Sequence, residues 1–505
     1  MSRKLLQIPS AGLALAGLAL ALAGCAKKED SVTPTPVTPP TTTTTTPVPP
    51  PTNTLGAAGI GGLNWADPRD NFVDDALVLS GLAAGDSYAT VQSKTERIIN
   101  GFLTTTGANT VRLPINPTTA TGNTWTSYTG AIDKALSKGM KVIICCWEGN
   151  SSRNGLVDNT SQFYTMWQTV VKAYGSNANV YFEVFNEPHG YNQADLSSLY
   201  ATWLTTFPDV PRGRVLLDGT GYAENITGIG ADSRFSSCLL SIHLYDFFYS
   251  SPATTAAGWE KVFANNVGSY ASRAVLTEWG AFMTTGVNYN EAIGGDVKKS
   301  YVLGMTNYCR QAGIASVYWP GLRNGDQYSL LQFDGTSTIV TNTSGLGRVQ
   351  FAWGVGAGGT NTFYPTAYYR IINRNSSQVV DVNGGSTASA APIIQYYQNG
   401  DNNQQWQLAA TTSGYYKLTN RNSSQVLDVS GASTADAAPI VQNPSSGGTS
   451  QQWLFTANTD GFYKLTNRNS GQVLDVNGAT TAAAANLIQY PSNNGNNQQW
   501  LLWQQ

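Results

Sequence analysis

The 505 residues are long for one domain and comfortable for two. Only 12% of them are charged and the formal net charge is −2, which excludes the basic face that nucleic-acid binding needs. The chain is instead rich in Trp (13) and Tyr (25), whose rings can either fill a core or stack on sugars, and in amides and hydroxyls that can hydrogen-bond to sugars.

At the N-terminus Arg3 and Lys4 precede an apolar stretch, Ala11 to Ala23, too short to span a bilayer comfortably and suited to an export signal. The stretch ends in Leu22-Ala23-Gly24-Cys25, which resembles the lipobox of bacterial lipoproteins. That resemblance implies a signal peptide over residues 1–24, cleavage before Cys25 and lipidation of its thiol; an ordinary secretory signal is the alternative. Lys27-Lys28-Glu29-Asp30 is similar to the charged tag of surface-exposed lipoproteins in some Gram-negative bacteria. The expected location is extracytoplasmic, at the outer membrane or cell surface, with the Cys25 lipid as anchor. Residues 25–55 are expected to be a linker, because Pro34-Thr35-Pro36 and the Thr41–Thr46 run cannot build a core.

A catalytic-sized domain is expected over residues 56–349, where short apolar runs alternate with amphipathic ones. Strands are predicted at Gly62–Ala66, Thr110–Ile115, Lys141–Trp147, Val180–Phe185, Arg214–Asp218, Leu239–Tyr245, Ala274–Glu278 and Ala315–Trp319. Helices are predicted between them, among them Tyr88–Phe102, Tyr128–Lys138, Gln162–Tyr174 and Lys298–Ala312. The pattern is that of an α/β protein, a (β/α)8 barrel. A doubly wound open sheet competes with it, but no glycine-rich phosphate loop follows the first strand. Cys145, Cys146, Cys238 and Cys309 all fall in this region without zinc-type spacing and read as buried thiols, with a Cys238–Cys309 bridge left open. No metal or other cofactor is expected.

Two glutamates end strands of this barrel: Glu187 in Asn186-Glu187-Pro188 and Glu278 in Thr277-Glu278-Trp279-Gly280. Carboxylates at the C-terminal strand tips face the barrel mouth, and a pair of them is what glycosidic cleavage requires. Together with Val111-Arg112-Leu113-Pro114, His243-x-Tyr245 and Trp319, these motifs resemble glycoside hydrolase family 5, over about Gly59 to Leu331. The resemblance implies Glu187 as general acid/base, Glu278 as nucleophile, Asn186 on the sugar 2-hydroxyl, and Arg112 orienting the nucleophile. It further implies His243 and Tyr245 as site residues and Trp319 as a sugar-stacking ring. One departure concerns strand three, where the family commonly carries a histidine and this chain has Cys146-Trp147-Glu148. Trp147 or Glu148 is expected to replace it as a substrate contact. Glu183, one layer deeper than Glu187, reads as a buried hydrogen-bonded group, and His189 as a loop residue.

A glycine-rich linker is expected at residues 350–365, and the remainder, 366–505, repeats itself. Asp381, Asp428 and Asp475 are spaced 47 apart, as are Trp406, Trp453 and Trp500. Three β-rich copies close naturally into an all-β trefoil. The Gln-Gln-Trp of each copy resembles ricin-type β-trefoils and family 13 carbohydrate-binding modules. That resemblance implies sugar contacts by Asp381, Asp428 and Asp475 and by an aromatic after the mid-repeat glutamine. The aromatics are uneven: Gln395-Tyr396-Tyr397 is complete, Gln489-Tyr490-Pro491 partial, and Gln442-Asn443-Pro444 has none. The first repeat is therefore expected to bind best and the second least, with the three tryptophans as core.

The sequence thus points to a monomeric retaining glycosidase with a polysaccharide substrate and no nucleic-acid partner. A β-1,4-glucan, cut in endoglucanase fashion, is the default; mannan, xylan and galactose-containing glycans stay open. So do transglycosylation and a non-catalytic glycan-binding lipoprotein.

Overall fold

The computed structural model describes residues 59–355, 363–411, 414–458 and 461–505. The signal peptide, Cys25 and the linker at 25–55 lie outside them. Eight parallel strands form the first domain: β1 Gly61–Trp65, β2 Thr110–Ile115, β3 Lys141–Cys146, β4 Val180–Glu183, β5 Val215–Asp218, β6 Leu239–His243, β7 Ala274–Glu278 and β8 Ala315–Leu322. Each pairs with the next, and β8 closes on β1 with Gly62 opposite Val317. The strands are buried on both faces, Lys141 and Trp319 apart, because helices cover the outside and side chains fill the inside. Near the strand starts Ile143, Leu216, Val275 and Val317 pack together as an interior layer. That layer seals one end, so polar residues gather at the other.

The covering helices include Tyr88–Gly101, Trp125–Ser137, Thr160–Tyr174, Gln193–Thr206, Ala256–Val267 and Val297–Ala312. Several start on a side-chain cap: Ser87, Asn159, Asn192, Thr255 and Asp296 each accept a first-turn N–H. A hairpin of β9 (Leu331–Phe333) and β10 (Thr338–Val340) extends the sheet beyond β8. The last barrel helix runs Thr343–Trp353, four residues into the stretch expected as linker. All four cysteines of the barrel are free and buried, so no Cys238–Cys309 bridge forms.

The second domain holds twelve strands, four per repeat. They are β11 Tyr368–Asn373, β12 Val379–Val382, β13 Ala391–Tyr396 and β14 Trp406–Ala410; β15 Tyr416–Asn420, β16 Val426–Val429, β17 Ile440–Asn443 and β18 Trp453–Ala457; β19 Tyr463–Asn467, β20 Val473–Val476, β21 Leu487–Tyr490 and β22 Trp500–Gln504. All pairings are antiparallel, and β11 against β22 joins first repeat to last. Trp406, Trp453 and Trp500 are fully buried, and their indole N–H groups donate to Val380, Leu427 and Leu474 carbonyls at 3.1, 3.2 and 3.1 Å. This satisfies the one polar atom that burying a tryptophan would otherwise strand. Phe363, also in the expected linker, packs on Tyr369, Tyr416 and Tyr463, which are equivalent positions of the three repeats. The end of that linker is therefore part of the trefoil.

Candidate active site

The polar end of the barrel is organised around Arg112 on β2, which is 1% exposed. Its guanidinium donates to Glu183 Oε2 and Oε1 at 2.6 and 2.9 Å, Glu278 Oε1 at 2.5 Å, Asn64 Oδ1 at 2.9 Å and Asn186 Oδ1 at 2.8 Å. Acceptors from β1, β4 and β7 thus converge on the fork of one side chain, a geometry that a lysine cannot reproduce. Asn64 in turn donates to the Thr277 carbonyl at 2.9 Å, fixing the strand that carries Glu278. Glu183 is fully buried, as expected; burial alone would raise its carboxyl, but Arg112 and His243 hold it well below the usual range.

His243 lies between the acidic groups, with Nδ1 3.1 Å from Glu187 Oε1 and 3.8 Å from Glu278 Oε2. Burial disfavours its charge, yet Glu278, Glu183 and Glu187 outweigh that and push its pKa up to about 10. It is a cation at neutral pH. One carboxylate oxygen of Glu187, one of Glu278 and a His243 nitrogen all lie within 4.8 Å of one another. Glu278 also accepts from the Tyr245 hydroxyl at 3.2 Å. Burial pushes the Glu278 carboxyl up, while His243 and Arg112 pull it down.

Glu187 sits four residues beyond β4, in the left-handed region at φ 51°, where a non-glycine residue is uncommon. Its backbone N–H donates to Asp218 Oδ2 on β5 at 3.0 Å. Asp218 is fully buried; burial and the neighbouring Glu183 raise its carboxyl well above the ordinary value. Sequence reasoning took Asp218 only as the end of a strand, and nothing local marks it as a partner of Glu187. Asn186 keeps Oδ1 on Arg112, and its Nδ2 has no protein partner, a buried donor left for a ligand. Glu183, Asp218 and His243 are also near enough to hold a cation.

A cavity of about 350 Å³ opens over Glu187 and Glu278, and Trp147, Tyr245 and Trp319 line it. Trp147 and Trp319 stack on each other, centroids 5.5 Å apart at 22°, and Phe72 meets Trp147 edge-on at 4.7 Å. Glu148 corrects the expectation from sequence. Strand β3 ends at Cys146, and beyond it Glu148 turns away from the catalytic cavity. Its carboxylate accepts the Asn154 N–H at 2.9 Å and the Gly155 N–H at 3.1 Å, bracing its own loop beside a separate cavity of about 180 Å³. His189 is a loop residue as expected, but its ring stacks on Tyr222 at 4.3 Å.

In the trefoil, Asp381, Asp428 and Asp475 are buried and accept from Gln404, Gln451 and Gln498 at 2.7, 3.0 and 2.7 Å. Tyr396 and Tyr490 are 36% and 40% exposed beside their aspartates' strands, with Tyr397 half-buried. At the same place in the second repeat stands Asn443, whose amide donates to Asp428 Oδ2 at 3.1 Å. That carboxylate is engaged from within. Burial pushes Asp381 up to about 6 and raises Asp475, against the pull of their glutamine and asparagine donors.

With this geometry in view, two domain families account for most of the chain. Residues 79–324 match the family model described as "Cellulase (glycosyl hydrolase family 5)". Residues 350–443 and 449–505 match that of the "Ricin-type beta-trefoil lectin domain-like" family. The chain therefore carries a glycosyl hydrolase domain followed by a carbohydrate-binding, lectin-like one. No curated protein matches it. Among solved structures, the designed threefold-symmetric protein ThreeFoil is 47% identical, covering 27% of this chain and 97% of its own, with a TM-score of 0.27. An exo-β-1,3-galactanase from Clostridium thermocellum is 31% identical, covering 35% of this chain and 40% of its own, also at 0.27.

Proposed function

We propose that the protein is a retaining glycosidase that cleaves a β-linked polysaccharide by double displacement while the trefoil holds the polymer. The observation that carries this is the closeness of Glu187 and Glu278, oxygen to oxygen within 4.8 Å. Retaining enzymes keep their carboxyl groups about 5–5.5 Å apart, whereas inverting ones leave about 6.5–9.5 Å for a water.

In the first step Glu278 attacks the anomeric carbon while Glu187 gives its proton to the departing oxygen, leaving a glycosyl ester on Glu278. Arg112 and Tyr245 hold the attacking carboxylate in place and favour its charged form. In the second step Glu187, now ionised, takes a proton from water, which breaks the ester and returns the sugar with its configuration retained. The free amide N–H of Asn186 suits a sugar 2-hydroxyl, a contact that strengthens as charge develops on the ring. A β-1,4-glucan cut internally is the default substrate, and the trefoil aspartates with Tyr396, Tyr397 and Tyr490 are the polymer contacts. The same reading puts the protein outside the cytoplasm, anchored through Cys25.

Mass-resolved product profiling on a panel of β-glycans tests the proposal. The wild type should release oligosaccharides with retained configuration from at least one glycan, and Glu278→Ala should release none. Binding without products from the wild type across the whole panel would sink it in favour of a non-catalytic glycan-binding protein.

A further inference from the structure

Two domains in one chain move freely unless the contact between them is large and apolar. The trefoil meets the barrel through such a contact, at the edge where β11 and β22 join the first repeat to the last. Phe462, Leu501 and Trp503 are 4%, 3% and 3% exposed there, and Phe351 of the last barrel helix packs against them. Phe351 meets Trp503 edge-on, centroids 6.5 Å apart at 79°. The guanidinium of Arg310, from the helix Val297–Ala312, lies over both Phe351 and Phe462, 5.5 and 5.7 Å from their ring centres. A barrel ring, a barrel cation and a trefoil ring thus share one buried cluster.

One polar contact of this joint reaches the segment behind Glu278. Gln504, at the end of β22, donates its amide Nε2 to the Asn290 and Glu291 carbonyls at 2.8 and 2.9 Å. Both carbonyls belong to the irregular segment 279–296, between β7 and the helix Val297–Ala312. Beside them Tyr289, fully buried, donates its hydroxyl to the Phe282 carbonyl at 2.6 Å, which ties the pinned part of the segment back toward Glu278. The helix that follows is held in the same way. Its Tyr301 hydroxyl donates to the Leu244 carbonyl at 2.6 Å and accepts the Gly280 N–H at 3.2 Å, so it fixes the chain beside both Tyr245 and Glu278. Further along the same helix, the Asn307 amide donates to the Gln504 carbonyl at 3.5 Å. Gln504 therefore grips both the segment and the helix with one residue of the trefoil.

We propose that the trefoil is a structural partner of the barrel, which through Gln504 braces the segment that follows Glu278, and not only a holder of polymer. Gln504 is a positioning residue in this role: it touches neither the cavity nor the two glutamates, and acts through the Asn290 and Glu291 backbone. The effect on rate rests on Glu278 being the nucleophile; the effect on stability stands without it.

Calorimetry of the full chain and kinetics on a small substrate test the proposal together. A module that only holds polymer would unfold in its own transition and would leave cleavage of an aryl glycoside untouched. The wild type should instead unfold in one cooperative transition. Gln504→Ala should lower its midpoint by about 2–6 °C, and so should Gln504→Glu, which keeps the shape but turns an acceptor on the two carbonyls. The substrate is the 2-chloro-4-nitrophenyl β-glycoside of whichever sugar the wild type releases, assayed at a temperature where each variant is still folded. Both variants should lower kcat on it by about threefold to tenfold with KM little changed, a split that loss of polymer binding would not produce. Phe351→Ala, which opens the apolar part of the joint and leaves Gln504 in place, should separate the single transition into two. Two transitions in the wild type, or an unchanged kcat in both Gln504 variants, overturn the bracing. A wild type that cleaves no glycan overturns the glycosidase reading instead, and the calorimetry then decides the joint alone.

Discussion

Replacing Arg112 by methionine removes the cation on which the barrel mouth is built. Arg112 is 1% exposed, and its removal leaves Glu183 (0% exposed) and Glu278 (3% exposed) without their main partner. Breaking a buried ion pair by deleting one side costs about 3–5 kcal/mol, because the remaining charge stays desolvated. For a domain of about 150–250 residues or more each kcal/mol moves the melting midpoint by about 2–4 °C at most, so the loss is roughly 6–20 °C. Adding Glu183→Gln to Arg112→Met deletes one of the stranded charges and should recover a large part of that loss. Activity should not follow. The contact from Arg112 to Glu278 is a preorganised donor aimed at the attacking carboxylate, and deleting such a donor costs about 10²–10³ in kcat. Thermal denaturation at pH 7 and kcat on the cleaved glycan, for both variants, separate the two effects. A midpoint shift below 2 °C for Arg112→Met, or a double variant no more stable than the single one, would refute the argument.

Two further predictions concern groups buried away from the reacting atoms. Asp218→Asn keeps an acceptor for the Glu187 N–H and should retain most stability and activity, since burial and Glu183 favour the uncharged form of Asp218; Asp218→Ala strands that N–H and should cost about 1–3 kcal/mol and much of kcat. Equal damage from both, measured by melting midpoint and kcat, would mean that the charge of Asp218 matters. In the trefoil, Asp381→Ala should weaken polysaccharide pull-down more than Asp428→Ala, and Asn443→Tyr should strengthen it by freeing Asp428 and adding a ring. Because burial lifts Asp381 to about 6, binding through the first repeat should fall as pH drops below that value. The sign for stability is opposite. Its folded-state pKa is raised, so its contribution is complete below about 3.8 and lost as pH rises through about 6, which pH-dependent melting of an Asp381→Asn variant would reveal.

The strand-end carboxylates were legible because a charged residue closing an apolar run has few places to go in a barrel: it faces the mouth. Arg112 was legible through the family resemblance of Val111-Arg112-Leu113-Pro114. What escaped was anything decided by where a loop turns. Alternation carried strand three through Trp147, whereas β3 stops at Cys146 and Glu148 turns back to cap Asn154 and Gly155. Tyr222 stands in a short helical turn, Thr220–Ala223, after β5, and only the folded chain reveals that His189 stacks on it. The 47-residue period displayed the trefoil, yet the period alone could not say that Gln404, Gln451 and Gln498 tie down the three aspartates.

Charge balance at the barrel mouth gives His243 its place in the proposed chemistry. Arg112 pairs with Glu183 and Glu278, the surrounding acids push His243 up to about 10, and burial beside Glu183 raises Asp218. The first step of the proposed reaction consumes the proton of Glu187. When that proton leaves with the departing sugar, Glu187 becomes negative, and at the same moment esterification removes the charge of Glu278. The negative charge has then moved from one side of His243 to the other. A histidine held charged, with its Nδ1 3.1 Å from Glu187 and 3.8 Å from Glu278, favours both forms without giving up its proton.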